Sequence, residues 1–575
     1  MRYLVILSEQ GVTNCNLSGG WRIALDEDGV RVWVREGAVQ RADSRPEAPV
    51  LLGRVHAQSA PTSNAPCRTG ADICRQYWGR YVAVIRSAGD GLWSILRDPS
   101  GSVPCFSAQE AGARFVFSHI EDAIAVGWRS KGPDWSSLAS LLQSGRIRDG
   151  RTGLAGVIEV LPGQSVDITG NRITHWSPRA FVDDVVEDRA VAKRMLREAI
   201  DRSVESVGRS HDRIMHLLSG GLDSSMVLVS LRRTVEAQRI KCLTFTQGEA
   251  SELDEVRFAR LAAESCGVDL AVARFNASNV RLERAHDQIA QPRPLGYTFS
   301  IDNDDTELEF AQAFGATVCT SGAGGDGLFY QLRARTYCAD YLLRHGPSLG
   351  AIRVALDNAR LARASVWTCL REGWRLVYGG APFAPELAAR NPYLSAGVDE
   401  HATSWVDVHP WFNGLERLSP GKKLHLWAVL DCLNLFYPYR RSKVADTELP
   451  LVSQPIIETV LRIPSWVLSS GGRDRTLVRE ACEDAVPAPI LSRAGKGAMD
   501  GYYAELCAVN ARYLRETLLD GVLVERGILN RQAIERDLPR GGDPRDGREL
   551  LLLQSFATEV WANAWARTSD FVASA

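Results

Sequence analysis

Along the first 130 residues, short apolar or alternating stretches (RYLVIL, VRVWV, YVAVI, LWSILR and RFVFS) are separated by Gly, Asp and Pro turns. Short strands punctuated by turn formers predict a β-rich module. The helix-like SSLASLLQSG follows, then GVIEVLPGQSVDI and NRITHWSPR, a strand–turn–strand link reaching about residue 180. Beyond Asp184 the period changes. VEDRAVAKRMLREAIDRSVESV carries apolar residues at helical spacing, RIMHLL reads as a strand and MVLVSLRRTVEA as a helix. IKCLTF, DEVRFARLAAESCG, DLAVARF, EFAQAFG and ATVCTSG continue the alternation of strand and helix. That alternation predicts an α/β unit with a parallel sheet covered on both faces, where ligands gather at the carboxyl ends of strands. From residue 331 to about 440 the pattern is mainly helical and rich in Trp and Arg, with Trp367, Trp374, Trp405, Trp411 and Trp427 expected to be packing residues.

A chain of 575 residues with 45% hydrophobic content has room for two or more domains and a sizeable core. Its 67 basic and 69 acidic residues nearly cancel, so overall charge favours neither nucleic acid nor an anionic membrane. The pairs Arg232-Arg233 and Arg440-Arg441 read as solvated surface. Twelve Cys without C-x-x-C spacing or His companions argue against zinc, iron–sulfur clusters and a disulfide scaffold, and fit a reducing cytoplasm. The opening MRYLVILSEQGV reads as a first strand rather than a signal peptide, no run of eighteen apolar residues suggests a membrane span, and GGDPRDGR near residue 541 reads as a surface loop.

The stretch HLLSGGLDSSMVLVSL, residues 216 to 231, sets Ser219, Gly220, Gly221, Asp223, Ser224 and Ser225 at one strand-to-helix corner. An ordinary turn with an N-cap would use such residues. Their density favours an anion, because a helix start offers unpaired N–H groups and a positive dipole end. No Lys-Ser/Thr pair closes the loop, so a lysine for phosphate must come from elsewhere. Asp223 would repel phosphate unless a divalent cation bridges them, which suits Mg²⁺ and calls for a second acid. SGAGGDG, residues 321 to 327, supplies one: it follows the apolar ATVCT with the same punctuation and carries Asp326.

In this order and at these separations, SGGLDSS, LTF, DEVRFARLAAE, SGAGGDGLF and RAGKGAM resemble the synthetase domain of the asparagine synthetase superfamily. YWGRYVAVI, RDPSGSVPCF, VFSHIED and GVIEVLPGQ resemble that family's class II glutamine amidotransferase module. The resemblance implies an amidotransferase-like domain over 1–180 and an adenine nucleotide α-hydrolase-like (PP-loop) synthetase domain over 185–575. In the family a catalytic Cys directly follows the initiator Met; here Arg2 does and the first Cys is Cys15, so the glutaminase is expected to be degenerate. Ala323 and Gly327 stand where asparagine synthetases carry Glu. ELPLVSQPIIETVLRIP, residues 448 to 464, resembles the PLxSQPxxE segment of lasso peptide cyclases, though alone it reads as a turn and an amphipathic helix.

The resemblance therefore implies an ATP- and Mg²⁺-dependent ligase that adenylates an Asp or Glu side chain of a precursor peptide and closes a macrolactam with the peptide's own amine. A leader-binding protein and a leader peptidase are the implied partners, with no nucleic acid or membrane. By the same transfer, Ser219, Gly220, Gly221, Ser224 and Ser225 cradle pyrophosphate, Asp223 and Asp326 hold Mg²⁺, Leu217 and Thr244 border adenine, and Ser321 and Gly322 lie near the nucleotide. Lys496 stabilises developing charge, Arg493 assists, and Asp254 and Glu255 lie near the nucleotide. The alternatives are a β-lactam synthetase-like enzyme, an ammonia-dependent asparagine synthetase and an inert nucleotide-binding scaffold.

Overall fold

Strand Arg2–Ser8 is apolar at nearly every position because both of its faces are covered. Tyr3, Val5 and Leu7 join an inter-sheet core with Val50, Leu52, Val82, Val84 and Val166. Leu4 and Ile6 face the other way, into a cluster with Leu138, Leu514, Phe556 and Trp561. In the computed structural model the described residues are 1–573 apart from 10–16, 18, 59–65, 145–148, 247–254, 275, 288–290, 295–299, 333, 379–390, 400–408, 415–417, 437, 494–499 and 539–547.

Two six-stranded antiparallel sheets form the first 174 residues. Arg2–Ser8 lies between Ala113–Phe117 and Val30–Glu36 in one, and Tyr77–Arg86 between Val50–Ala57 and Trp93–Arg97 in the other. The expected strand–turn–strand link crosses between them: Val157–Glu159 pairs in the first sheet and Gln164–Asp167 in the second. The outer face of the second sheet, through Leu51, Tyr81, Ala83 and Leu96, shares a core with Leu196, Val227 and Ile457. The last helix, Glu549–Ala573, packs back on the first sheet's side, where Trp561 lies against Gly153.

The third sheet is parallel, in the order Asp269–Arg274, Ile240–Thr246, Ile214–Leu217, Val318–Ser321, Asp446–Glu448. The fifth strand was not legible in the sequence, since three polar residues carry no apolar pattern. It is held by charge. Glu448 accepts from Arg54 and His211 and pairs with Arg80, while Asp446 pairs with Arg54 and the Met1 ammonium group. Burial pushes both carboxyls up, but these cations win: Asp446 is held down at about 2 and Glu448 is lowered as well. His211, Asp446 and Glu448 bring donor atoms within 4.8 Å of one another, yet the adjacent guanidinium groups make this an ion-pair tether between sheets rather than a metal site.

Two expectations change. Arg441 is not solvated surface: it is buried against Asp304 and Glu307, because helix Ile301–Phe314 brings both acids under it. Trp367 and Trp374 are not packing residues, being 76% and 54% exposed, whereas Trp411 is buried and Trp427 half-buried. The polar groups of the PLVSQPIIE segment join units: Gln454 donates to the Cys74 carbonyl and to Glu458, which also accepts from Trp176. Trp405 and residues 541–547 lie outside the described residues. The eleven described cysteines are all free thiols, and among the described residues no helix is long and apolar enough to cross a membrane.

Candidate active site

Strand Ile214–Leu217 lies at the middle of the parallel sheet, and its carboxyl end turns through Ser219, Gly220 and Gly221 into helix Leu222–Arg232. Gly220 has φ +65°, and a Cβ there would stand 2.6 Å from the Ala259 nitrogen, so helix Glu255–Cys266 presses directly on the loop. Gly221 is the N-cap and contributes no side-chain bond to the first-turn N–H groups, in contrast to Asp188, which caps helix Arg189–Ser210 from its carboxylate. No N-cap side chain covers this helix start, an arrangement that suits an anion. The Ser224 hydroxyl lies 3.2 Å from that of Ser219, and Ser225 is fully buried.

The neighbouring strand ends at Ser321, whose hydroxyl accepts from the Ala323 N–H at 3.2 Å. Gly322 and Gly325 then run against the first loop. A Cβ on Gly322 would fall 2.2 Å from the Ser224 nitrogen, and one on Gly325 2.5 Å from Asp223 Cγ. Two strand ends about 100 residues apart in sequence thus touch through glycines, and the contact brings their acids together.

Those acids meet at one nitrogen. Arg475 Nη1 donates to Asp223 Oδ2 at 2.7 Å and to Asp326 Oδ1 at 2.6 Å. Asp223 and Arg475 are mostly buried, whereas Asp326 is 66% exposed, so the pair opens to solvent on one side. Arg475 has φ +51° at the start of helix Thr476–Ala481; its N–H donates to the Ser469 hydroxyl, and Asp474, shared with Arg479, accepts from its Nε. Against the upward push of burial, Arg475 and Arg479 hold the Asp474 carboxyl below its usual range. Hard carboxylate oxygens converging from two elements are the donor set Mg²⁺ takes together with phosphate oxygens. The two carboxylates are of the kind that ion takes, and Arg475 occupies the point between them in this structure.

Two buried histidines brace the loops. His216 lies 2.9 Å from the Thr320 hydroxyl through Nδ1 and 2.9 Å from the Ser224 carbonyl through Nε2. Burial lowers its pKa to about 4, so the ring is neutral near pH 7. A carbonyl only accepts, which puts the proton on Nε2 and leaves Nδ1 to accept from Thr320. His425 likewise donates from Nε2 to the Leu328 carbonyl, at the end of the short helix that carries Asp326.

Of the expected nucleotide residues, Ser219, Gly220, Gly221, Asp223, Ser224, Gly322 and Asp326 are brought together at this corner. Ser321 stands at its edge, Leu217 packs partly buried among Met215 and Leu243, and Thr244 is buried on the adjoining strand. Lys496 and Asp254 lie outside the described residues. Arg493, three residues before Lys496, is pinned at the loop: it donates to the Gly220 carbonyl at 3.3 Å, lies 3.6 Å from Glu255 and stacks over Phe258. Gly327 is locked in place, since a Cβ there would meet the Ala428 carbonyl and Cys432 Sγ at 2.7 Å. Arg475 was not foreseen. The need for a distant cation was legible, but nothing in GGRDRTLVRE distinguishes the buried arginine from its neighbours.

A family profile described as asparagine synthase matches residues 195–567. A carboxyethyl-arginine beta-lactam-synthase of Streptomyces clavuligerus is 25% identical over 430 residues, covering 74% of this chain and 64% of the relative. An amidase, chyE, of Penicillium rubens is 26% identical over 273 residues, covering 44% of this chain and 39% of the relative. The chain thus matches less than two thirds of the length of either relative. Among solved structures, a glutamine phosphoribosylpyrophosphate amidotransferase from B. subtilis complexed with ADP and GMP matches 56% of this chain and 84% of its own at 8% identity, with a TM-score of 0.17.

Proposed function

This chain belongs to the asparagine synthase family, and on that premise we propose that it activates a carboxylate with MgATP and closes an amide with an amine that the substrate itself carries. The observation that carries the reading is the meeting of Asp223 and Asp326, from two strand ends, at a single point beside an uncapped helix start. In the reaction a carboxylate oxygen attacks the α-phosphorus of ATP and pyrophosphate leaves; the amine then attacks the acyl carbon and AMP leaves. Direct condensation would require oxide or hydroxide to depart, whereas AMP is a good leaving group.

The chain's own groups divide this work. First-turn N–H groups of helix Leu222–Arg232, with Ser219 and Ser224, receive the pyrophosphate portion. Asp223 and Asp326 would hold Mg²⁺, which would neutralise phosphate charge. Arg475 supplies a fixed positive charge to the two carboxylates; Lys496, by the family resemblance alone, would supply another. A preorganised charge at a reacting centre contributes about 3 kcal/mol. A free α-amine has a pKa of about 7.7–8.0 and is partly neutral near pH 7, so positioning alone can carry its attack.

For the substrate we take a precursor peptide whose Asp or Glu side chain is joined to its own N-terminal amine as a macrolactam, with a leader-binding protein and a leader peptidase as partners. The PLVSQPIIE resemblance supports this choice. The second reading, ring closure of a small β-amino acid, is favoured by the Streptomyces relative. Incubation with ATP and either a linear precursor encoded beside the gene or a small β-amino acid separates the two. Loss of one water from the peptide with formation of AMP supports the macrolactam; conversion of the small molecule alone overturns it.

A further inference from the structure

Helices Tyr337–His345, Leu349–Ala362 and Val366–Tyr378 pack around small side chains: Cys338, Ala351, Ala355, Ala359 and Cys369 form their shared core, with Leu342 as its largest fully buried member. Several of their large apolar residues point outwards instead. Leu349 is 85% exposed and shares a helix face with Ile352 and Leu356, at offsets of three and seven residues. On the third helix Trp367, Trp374 and Tyr378 recur at seven and eleven residues, also on one face, and Trp374 lies 4.4 Å from Tyr378, centroid to centroid. With Leu343, these are seven of the twelve large exposed apolar side chains among the described residues. Such clustering marks an interaction surface, whereas single exposed residues do not.

Charge says what covers it. Arg353, Arg360, Arg363, Arg371 and Arg375 are all exposed on the same two helices and the turn between them, while the acids there are engaged: Asp357 accepts from the Gly471 N–H at 2.8 Å and Glu372 pairs with Arg375. A chain of formal charge -2 thus sets exposed arginines on both helices that carry these apolar faces. The surface is also joined to the candidate site. Asp357 holds Gly471, a Cβ on Gly472 would meet Arg360 at 2.5 Å, and three residues further on stands Arg475, between the two carboxylates.

We propose that the exposed face formed by Leu349, Ile352, Leu356, Trp367, Trp374 and Tyr378, fringed by arginines, docks a polypeptide that is acidic and apolar, and so presents the substrate peptide to the site. The inference rests on the amide-forming reading for its purpose, but not for its test. An apolar face receives aliphatic or aromatic side chains, and guanidinium groups beside it pair with carboxylates and keep basic peptides away.

The experiment selects random 20-residue peptides from an mRNA-displayed library on the full chain, beside the Trp367→Ser/Trp374→Ser/Leu349→Ser variant. The enriched peptides should be net acidic with aromatic or aliphatic residues, and should bind the variant at least tenfold more weakly, by the loss of two aromatic anchors. All three residues are highly exposed, so the variant should melt as the parent does. If it does not, a benzophenone-bearing selected peptide on the unaltered chain decides, with crosslinks expected within residues 343–378. Neutral or basic enriched peptides, undiminished binding to a folded variant, or crosslinks elsewhere overturn the proposal. Sedimentation with phosphatidylglycerol vesicles through the same residues, without peptide enrichment, overturns it in favour of a membrane surface. MgATP binding is followed separately: its absence refutes the active-site reading whatever the peptides do, and its presence without acidic peptides refutes the docking surface alone.

Discussion

Replacing Arg475 with Met keeps the bulk of the side chain and removes the charge between two carboxylates. Two oxygens bonded to one nitrogen at 2.7 and 2.6 Å lie no more than about 5 Å apart. At that separation and an effective dielectric of about 20, their repulsion is ~3 kcal/mol. Asp326 is two-thirds exposed, so solvent screening leaves on the order of 1–2 kcal/mol. A magnesium ion restores the missing positive charge and should recover most of that loss. Urea unfolding followed by tryptophan fluorescence, with and without millimolar Mg²⁺, reads this directly. The parent should respond less to Mg²⁺, because Arg475 already offsets half the charge of the pair; Arg475→Met should unfold at lower urea without Mg²⁺ and regain the difference with it. An Arg475→Met protein as stable as the parent without Mg²⁺, or indifferent to Mg²⁺, would refute the reasoning.

His216, neutral and with its pKa lowered to about 4 by burial, stabilises the fold fully above its unfolded value near 6.5 and loses that contribution as pH falls from about 6.5 towards 4. Between pH 7.5 and 5 this amounts to ~2 kcal/mol. His216→Gln can keep both hydrogen bonds, so its urea midpoint should fall less over that interval than the parent's; an unchanged pH slope sinks the assignment. Gly327→Glu, which restores an acid that asparagine synthetases carry, should lower the melting temperature by several degrees because its Cβ overlaps Ala428 and Cys432; an unaltered melt would show that the helix gives way.

The parallel sheet was legible from its alternation alone, because buried strands and amphipathic helices differ in period. RIMHLL, IKCLTF, DLAVARF and ATVCTSG each form the expected strand. The two glycine-rich corners were legible too, since close contact of strand ends leaves no room for Cβ atoms. What the pattern hides is whatever depends on distant partners. Asp446–Glu448 pairs by virtue of Arg54, Arg80 and His211, residues brought from elsewhere. Arg441 reads as surface until helix Ile301–Phe314 supplies its acids, and Trp367 reads as core until the neighbouring helices prove to pack through alanine and cysteine. Arg475 belongs to the same class: its role is set by the meeting of Asp223 and Asp326, 103 residues apart in the chain.

The most direct test of the account is calorimetric titration of ATP into the parent, Asp223→Asn and Asp326→Asn proteins, each with and without Mg²⁺. The account predicts binding by the parent that depends on Mg²⁺ and a loss of that dependence, with weakened affinity, in both variants. Equal affinity in all three, or binding by the parent that ignores Mg²⁺, would contradict it.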